Sequence, residues 1–75
     1  MNNLFTVQTA HRGERTTHMS NVLLEDAKEY ASQLAREKQE AGYQVIDNRN
    51  NITLMRDASF KTYIILIIES EKVSA

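Results

Sequence analysis

One apolar stretch decides the fold: Tyr63-Ile64-Ile65-Leu66-Ile67-Ile68. Its β-branched residues are typical of a strand, and it is far shorter than the ~20 apolar residues that a transmembrane helix needs. Alternate side chains of a strand point to opposite faces. The two faces of this strand therefore carry Tyr63, Ile65 and Ile67 on one side and Ile64, Leu66 and Ile68 on the other.

One helix is predicted over residues 24–41, where apolar residues recur at helical spacing. At ~100° per residue these residues fall within an arc of about 140°, and Lys38 is the one charged residue inside that arc. Gly42 is well placed to end the helix in a left-handed conformation. Ser20 and Asn21 are candidate N-caps. A single amphipathic helix of this kind covers one face of a sheet.

Strand-like runs separated by short turns lie on both sides of the helix. We predict an N-terminal hairpin over residues 4–19, a three-stranded meander over 43–69, and a frayed tail over 70–75. Short connections favour antiparallel pairing. The expected fold class is α+β: one domain of 75 residues, with a single-layer antiparallel sheet of four or five strands in ββαβββ order and one amphipathic helix packed on one face.

The second face of the final strand needs a cover that this helix cannot supply. Burying each of its large side chains is worth roughly 1.5–3 kcal/mol, a large share of the net stability of so small a domain. We expect a second copy of the chain to cover it; a different protein, or partial cover by loops and the N-terminal arm, are the alternatives. The predicted face contains Ile64, Leu66, Ile68, Met55 and Ile46, with Leu4 as a further candidate.

No residue pattern indicates catalysis. The chain has no cysteine and only two glycines, which excludes thiol chemistry, disulfides and a glycine-rich phosphate loop. No serine lies in a recognisable nucleophile context. His11 and His18 flank the first predicted turn, but a metal site would need a third ligand, and Glu14 is the only acidic residue nearby. We therefore expect a protein that is not an enzyme and that uses no metal or cofactor.

Two charged surfaces are alternative binding sites. The formal net charge of −1 gives no long-range attraction to nucleic acid, so only a local patch could bind it. Basic residues in and near the predicted turns are candidate nucleic-acid contacts: Arg12, Arg15, Arg49, Arg56 and Lys61. Acidic residues on the outer side of the helix are a candidate face for a basic partner: Glu25, Asp26, Glu29, Glu37 and Glu40.

These observations favour a small non-catalytic protein-binding module that forms a homodimer. The first twenty residues do not resemble an export signal, so we expect a cytoplasmic protein without membrane association. Small cysteine-free domains of this kind are common among phage and prophage accessory proteins, including inhibitors that occupy the surface of a host complex, and that is the specific role we expect. The alternative is a small dimeric nucleic-acid-binding protein that uses its basic turns.

Overall fold

The computed structural model describes residues 3–49 and 51–70. Its elements follow in the order β1 (Phe5–His11), β2 (Glu14–Val22), α1 (Leu24–Glu40), β3 (Gln44–Arg49), β4 (Ile52–Arg56) and β5 (Thr62–Glu69). The strands form one antiparallel sheet in the order β2-β1-β5-β4-β3. The predicted α+β fold is confirmed, with five strands and one helix packed on the sheet. The pairing of β1 with β5 joins the two predicted strand units and places β5 at the centre.

The core lies between α1 and one face of the sheet. The alanines Ala27 and Ala31 are buried at this contact, and their small side chains let the helix lie close to the strands. Lys38 lies at the margin of the core, where its Nζ atom is 4.5 Å from the centroid of the Tyr63 ring. This position allows a cation–π contact while the ammonium group stays near water. The buried apolar residues are Val7, Ala27, Ala31, Leu34, Met55, Tyr63, Ile65 and Ile67.

The two ends of the helix differ from each other in how they are capped. Leu23 occupies the N-cap position and makes no side-chain cap hydrogen bond, so the predicted caps Ser20 and Asn21 are wrong. Both residues lie inside β2, which continues to Val22 and leaves no room for a capping loop. At the other end, Gly42 has φ 107°, which confirms the predicted left-handed residue.

Two turns lie at the same end of the sheet, because His11 pairs with Tyr63 across β1 and β5. Arg12 and Gly13 connect β1 to β2 with φ angles of 53° and 80°, as a two-residue type I′ turn requires. The β4–β5 turn is held by Asp57, whose Oδ1 atom accepts hydrogen bonds from two backbone N–H groups further along the turn. Together these turns bring residues that are distant in sequence to one end of the sheet.

Candidate functional site: the outer face of the sheet

The face of the sheet opposite α1, which we call the outer face, has an aliphatic centre. Ile64, Leu66 and Ile68 alternate with the core residues of β5 and so point away from the helix. On β4, Ile52 pairs with Leu66 and Leu54 pairs with Ile64. Residues directly opposite each other in an antiparallel pair lie on the same face. The five side chains therefore form one contiguous surface, the outer patch: Ile52, Leu54, Ile64, Leu66 and Ile68.

The outer patch is open to solvent in the single chain. Ile52 is 43% exposed and Ile68 is 39% exposed, while the other three side chains are half-buried by their neighbours in the sheet. Among residues 3–49 and 51–70, α1 is the only helix, and it packs on the other face. The N-terminal arm that could have covered this face is instead β1, a strand within the same layer.

Polar residues border the outer patch on both sides. On the β1 side, Gln8 pairs with Leu66 and donates a hydrogen bond from Nε2 to Thr17 Oγ1. On the β3 side, Arg49 pairs with Ile52 and Asp47 pairs with Leu54. Arg49 and Asp47 also form an exposed ion pair with each other, with 3.0 Å between Nε and Oδ1. The patch is thus an apolar centre with a charged border of both signs along β3.

Two residues predicted for this face lie elsewhere. Met55 is fully buried in the core, with an exposed fraction of 0%, because it pairs with Tyr63 on the helix side of the sheet. Ile46 is the extra residue of a β-bulge between Val45 and Asp47. A bulge breaks the alternation of side chains, so Ile46 belongs to neither set of pairs and is 52% exposed at the sheet edge.

Two members of the outer patch, Ile52 and Leu54, are not among the residues predicted from the sequence. The same alternation that buries Met55 turns both of them outward. Only the facing of Met55 was needed to find them, and the sequence leaves that facing open. Leu4 is 40% exposed just before β1, and its carbonyl accepts a hydrogen bond from the Ser70 N–H.

The basic residues separate into one group and one outlier. Arg12 and Lys61 lie in the two adjacent turns, Arg15 pairs with Ala10 near the same edge, and Arg56 pairs with Thr62. Arg49 lies at the other end of the sheet, before the β3–β4 turn. It is separated from Arg56 by about four residues of strand length, or ~13 Å. Four of the five predicted nucleic-acid contacts therefore lie at the same end of the sheet.

The acidic residues of the helix all lie on its exposed surface: Glu25, Asp26, Glu29, Glu37 and Glu40. At ~100° per residue they span an arc of about 120°. Arg36 falls inside this arc, which dilutes the negative charge. The first two acidic residues occupy the first turn, where they interact favourably with the helix dipole. This gives them a local structural role.

The histidines are engaged by nearby groups on the helix side of the sheet. His18 lies between two partners, with Nε2 2.7 Å from Thr9 Oγ1 and Nδ1 3.4 Å from the Tyr30 hydroxyl. His11 Nδ1 is 3.1 Å from the Thr62 carbonyl oxygen. Within the described residues, no group of three or more potential ligands could hold a metal ion. Each histidine thus links a strand to a neighbouring element.

Comparison with protein-family models, with curated proteins and with solved structures finds no match. In the part of the chain that the structure describes, no helix is long and apolar enough to cross a membrane.

Proposed function

We propose that the protein is a non-catalytic protein-binding module whose outer patch binds a second copy of the chain. The observation that carries the proposal is the outer patch itself, five contiguous aliphatic side chains on β4 and β5 facing away from the only helix of the described residues. Contiguous apolar surface of this kind marks an interaction site. A second copy presents the same surface and can bury it symmetrically.

The size of the outer face is sufficient for a small dimer. Five strands spaced ~4.8 Å apart and about seven residues long present roughly 500 Å² in projection. If the entire face took part, two copies would bury about 1,000 Å² together, which is near the lower limit for a specific interface. Two sheets that pack face to face keep their strand directions within about 30° of each other. The geometry therefore favours a two-layered dimer with one helix on each outside surface.

The strand register favours a particular symmetry. Consider a two-fold axis that runs between the two sheets, parallel to them and perpendicular to the strands, and that crosses β5 between the Leu66 and Ile64 positions. This axis would lay β5 on β5 and β4 on β4. Leu66 of one copy would then face Ile64 of the other, and Ile52 would face Leu54. Ile68 would lie at the margin of the contact, opposite Thr62.

The charged border supports the same axis. Arg49 lies level with Leu66 and Asp47 lies level with Ile64 on the sheet, through their pairings with Ile52 and Leu54. The axis that places Leu66 opposite the partner's Ile64 also places Arg49 of one copy opposite the partner's Asp47. This contact occurs twice per dimer. Opposite charges at an interface fix its register and disfavour other arrangements. This axis therefore matches apolar residues with apolar residues at the centre of the outer face and opposite charges at its β3 border.

The test is light scattering on the purified protein across micromolar concentrations. We expect a mass that rises with concentration toward that of two chains. A strict monomer throughout would contradict the proposal. The more specific role as a phage- or prophage-type inhibitor would place a host protein on the same face. It is tested by affinity capture from the native source with the wild-type chain and with Leu66→Lys as the matched control, since a partner of the outer patch must be lost from the variant.

A further inference from the structure

The turns at one end of the sheet form a cluster at the margin of the outer face, where Arg15 and Arg56 point to the outer side and Ile64 of the outer patch lines the same cleft. We call it the basic end: Arg12, Arg15, Arg56, Phe60 and Lys61. A shallow cleft separates the two turns and is lined by residues of both, including Arg12, Phe60 and Lys61. Arg12 directly follows β1 and Arg56 ends β4, and these two strands flank β5. About two strand spacings, or ~10 Å, therefore separate their backbones.

Phe60 is the most unusual residue of this cluster. Its side chain is 80% exposed, and its backbone φ of 64° lies in the left-handed region. This conformation is energetically unfavourable for a bulky residue, whereas glycine adopts it without strain. A phenylalanine at this position neither fills the core nor suits its turn. Unfavourable local conformations of this kind cluster at functional sites.

The negative charges near the basic end are turned away or engaged. Asp57 accepts hydrogen bonds from the backbone N–H groups of Ser59 and Lys61 through one carboxylate oxygen. Glu14 pairs with His11, on the helix side of the sheet. Its neighbour Arg15 pairs with Ala10 and so lies on the opposite, outer side. The outer side of this end is therefore predominantly cationic, in a chain whose net charge is −1.

We infer that the basic end binds single-stranded nucleic acid, with Phe60 stacking on a base and Arg12 and Arg56 contacting phosphates on either side of it. An exposed aromatic ring among cations is the combination that binds single strands without sequence preference, because every base has a face on which an aromatic ring can stack. The ~10 Å between the two arginine positions leaves room for one stacked base between two phosphate contacts. The site lies within one chain and so does not require the dimer.

Phe60→Gly separates binding from stability, because glycine relieves the backbone of this turn while removing the ring. Binding is measured as the fluorescence anisotropy of a labelled oligothymidylate at low salt. We expect Phe60→Gly to weaken binding about five- to 140-fold, the loss typical of one stacked base. Phe60→Trp, which keeps an aromatic ring, should bind the oligonucleotide as the wild type does.

Salt dependence tests the phosphate contacts independently. Removing two contacts should reduce the slope of log affinity against log salt by about 1.4. We expect this for Arg12→Ala combined with Arg56→Ala, but not for Arg36→Ala on the helix, which removes an exposed arginine away from the site.

Three results would overturn the inference. The first is no binding of the oligonucleotide at low salt, and the second is binding that Phe60→Gly leaves unchanged. The third is binding to vesicles of anionic lipid but not to the oligonucleotide, which would assign the basic end to a membrane surface. Repeating the titration with the Leu66→Lys variant keeps this test distinct from the dimer. Unchanged or tighter binding by a monomer supports a site within one chain, whereas lost binding contradicts it.

Discussion

Leu66→Lys is the substitution that most sharply separates the outer patch from the core. Leu66 lies at the centre of the patch, between Gln8 and Ile52 on its two neighbouring strands. It is half-buried in the single chain, so we take the lower end of the usual value for burying a leucine, about 1.5 kcal/mol per copy. Two copies then lose about 3 kcal/mol per dimer, before the cost of desolvating two ammonium groups.

This loss corresponds to at least a hundredfold increase in the Kd of self-association, at about 1.4 kcal/mol for each factor of ten. Sedimentation velocity at several concentrations measures it, and far-UV circular dichroism verifies that the helix is retained. Gln33→Lys, which introduces the same charge on the exposed side of the helix, should leave self-association unchanged. Ile65→Lys should unfold the chain, because Ile65 is buried in the core and its lysine would have no partner.

The result that would refute this reasoning is a Leu66→Lys protein that is folded and associates as tightly as the wild type. That outcome would show that a different surface forms the contact. Unfolding of Leu66→Lys with the same loss of helix signal as Ile65→Lys would instead show that the two faces of β5 are equally essential within one chain.

Three further predictions follow from the contacts described above. Asp47→Arg and Arg49→Asp should each weaken self-association, because each places like charges opposite each other across the two-fold axis. The double variant should restore self-association, because it again places opposite charges there. Sedimentation that finds the double variant as weak as the single ones would exclude this register. Phe60→Gly should keep or raise the free energy of unfolding, by up to about 1 kcal/mol in urea titrations, since glycine adopts the left-handed conformation without strain, and a loss of stability would indicate a packing role for the ring. Met55→Ala should lower the free energy of unfolding by about 2–5 kcal/mol, the usual cost of truncating a fully buried methionine, whereas an effect below ~1 kcal/mol would contradict its position under the helix.

The sequence predicts the elements of this fold well because their signals are local. The helix is recognisable from the spacing of its apolar residues and from Gly42, and the strands from their composition and from the turns between them. Asp57 and Gly13 lie in turns where such residues are expected. These features depend on neighbours within a few residues, so no knowledge of the tertiary structure is required.

The facing of the final strand is the part that local reasoning leaves open. Alternation along β5 defines two sets of side chains, but only the position of α1 decides which set is buried. The pairing of β1 with β5 is equally invisible, because it joins segments from the two ends of the sequence. For the same reason Met55 was assigned to the wrong face, and Ile52 and Leu54 were missed.

The bulge at Ile46 is a second feature that the alternation of side chains along a strand cannot predict. One extra residue in β3 shifts Asp47 and Arg49 onto the outer face beside Leu54 and Ile52. Without that shift, the charged border of the patch would lie on the helix side. The bulge therefore positions the ion pair on which the proposed symmetry of the dimer depends.

The most direct test of the central claim is the solvent accessibility of the methyl groups on β5 as the protein concentration changes. A soluble paramagnetic agent enhances the relaxation of exposed methyls in NMR spectra. We predict that this enhancement falls for Ile64, Leu66 and Ile68 as concentration rises through the association range, while Val45, which is exposed on the helix side of the sheet, keeps its value. An enhancement that stays constant for all four residues, while light scattering shows two chains associating, would contradict the assignment of the outer patch as the interface.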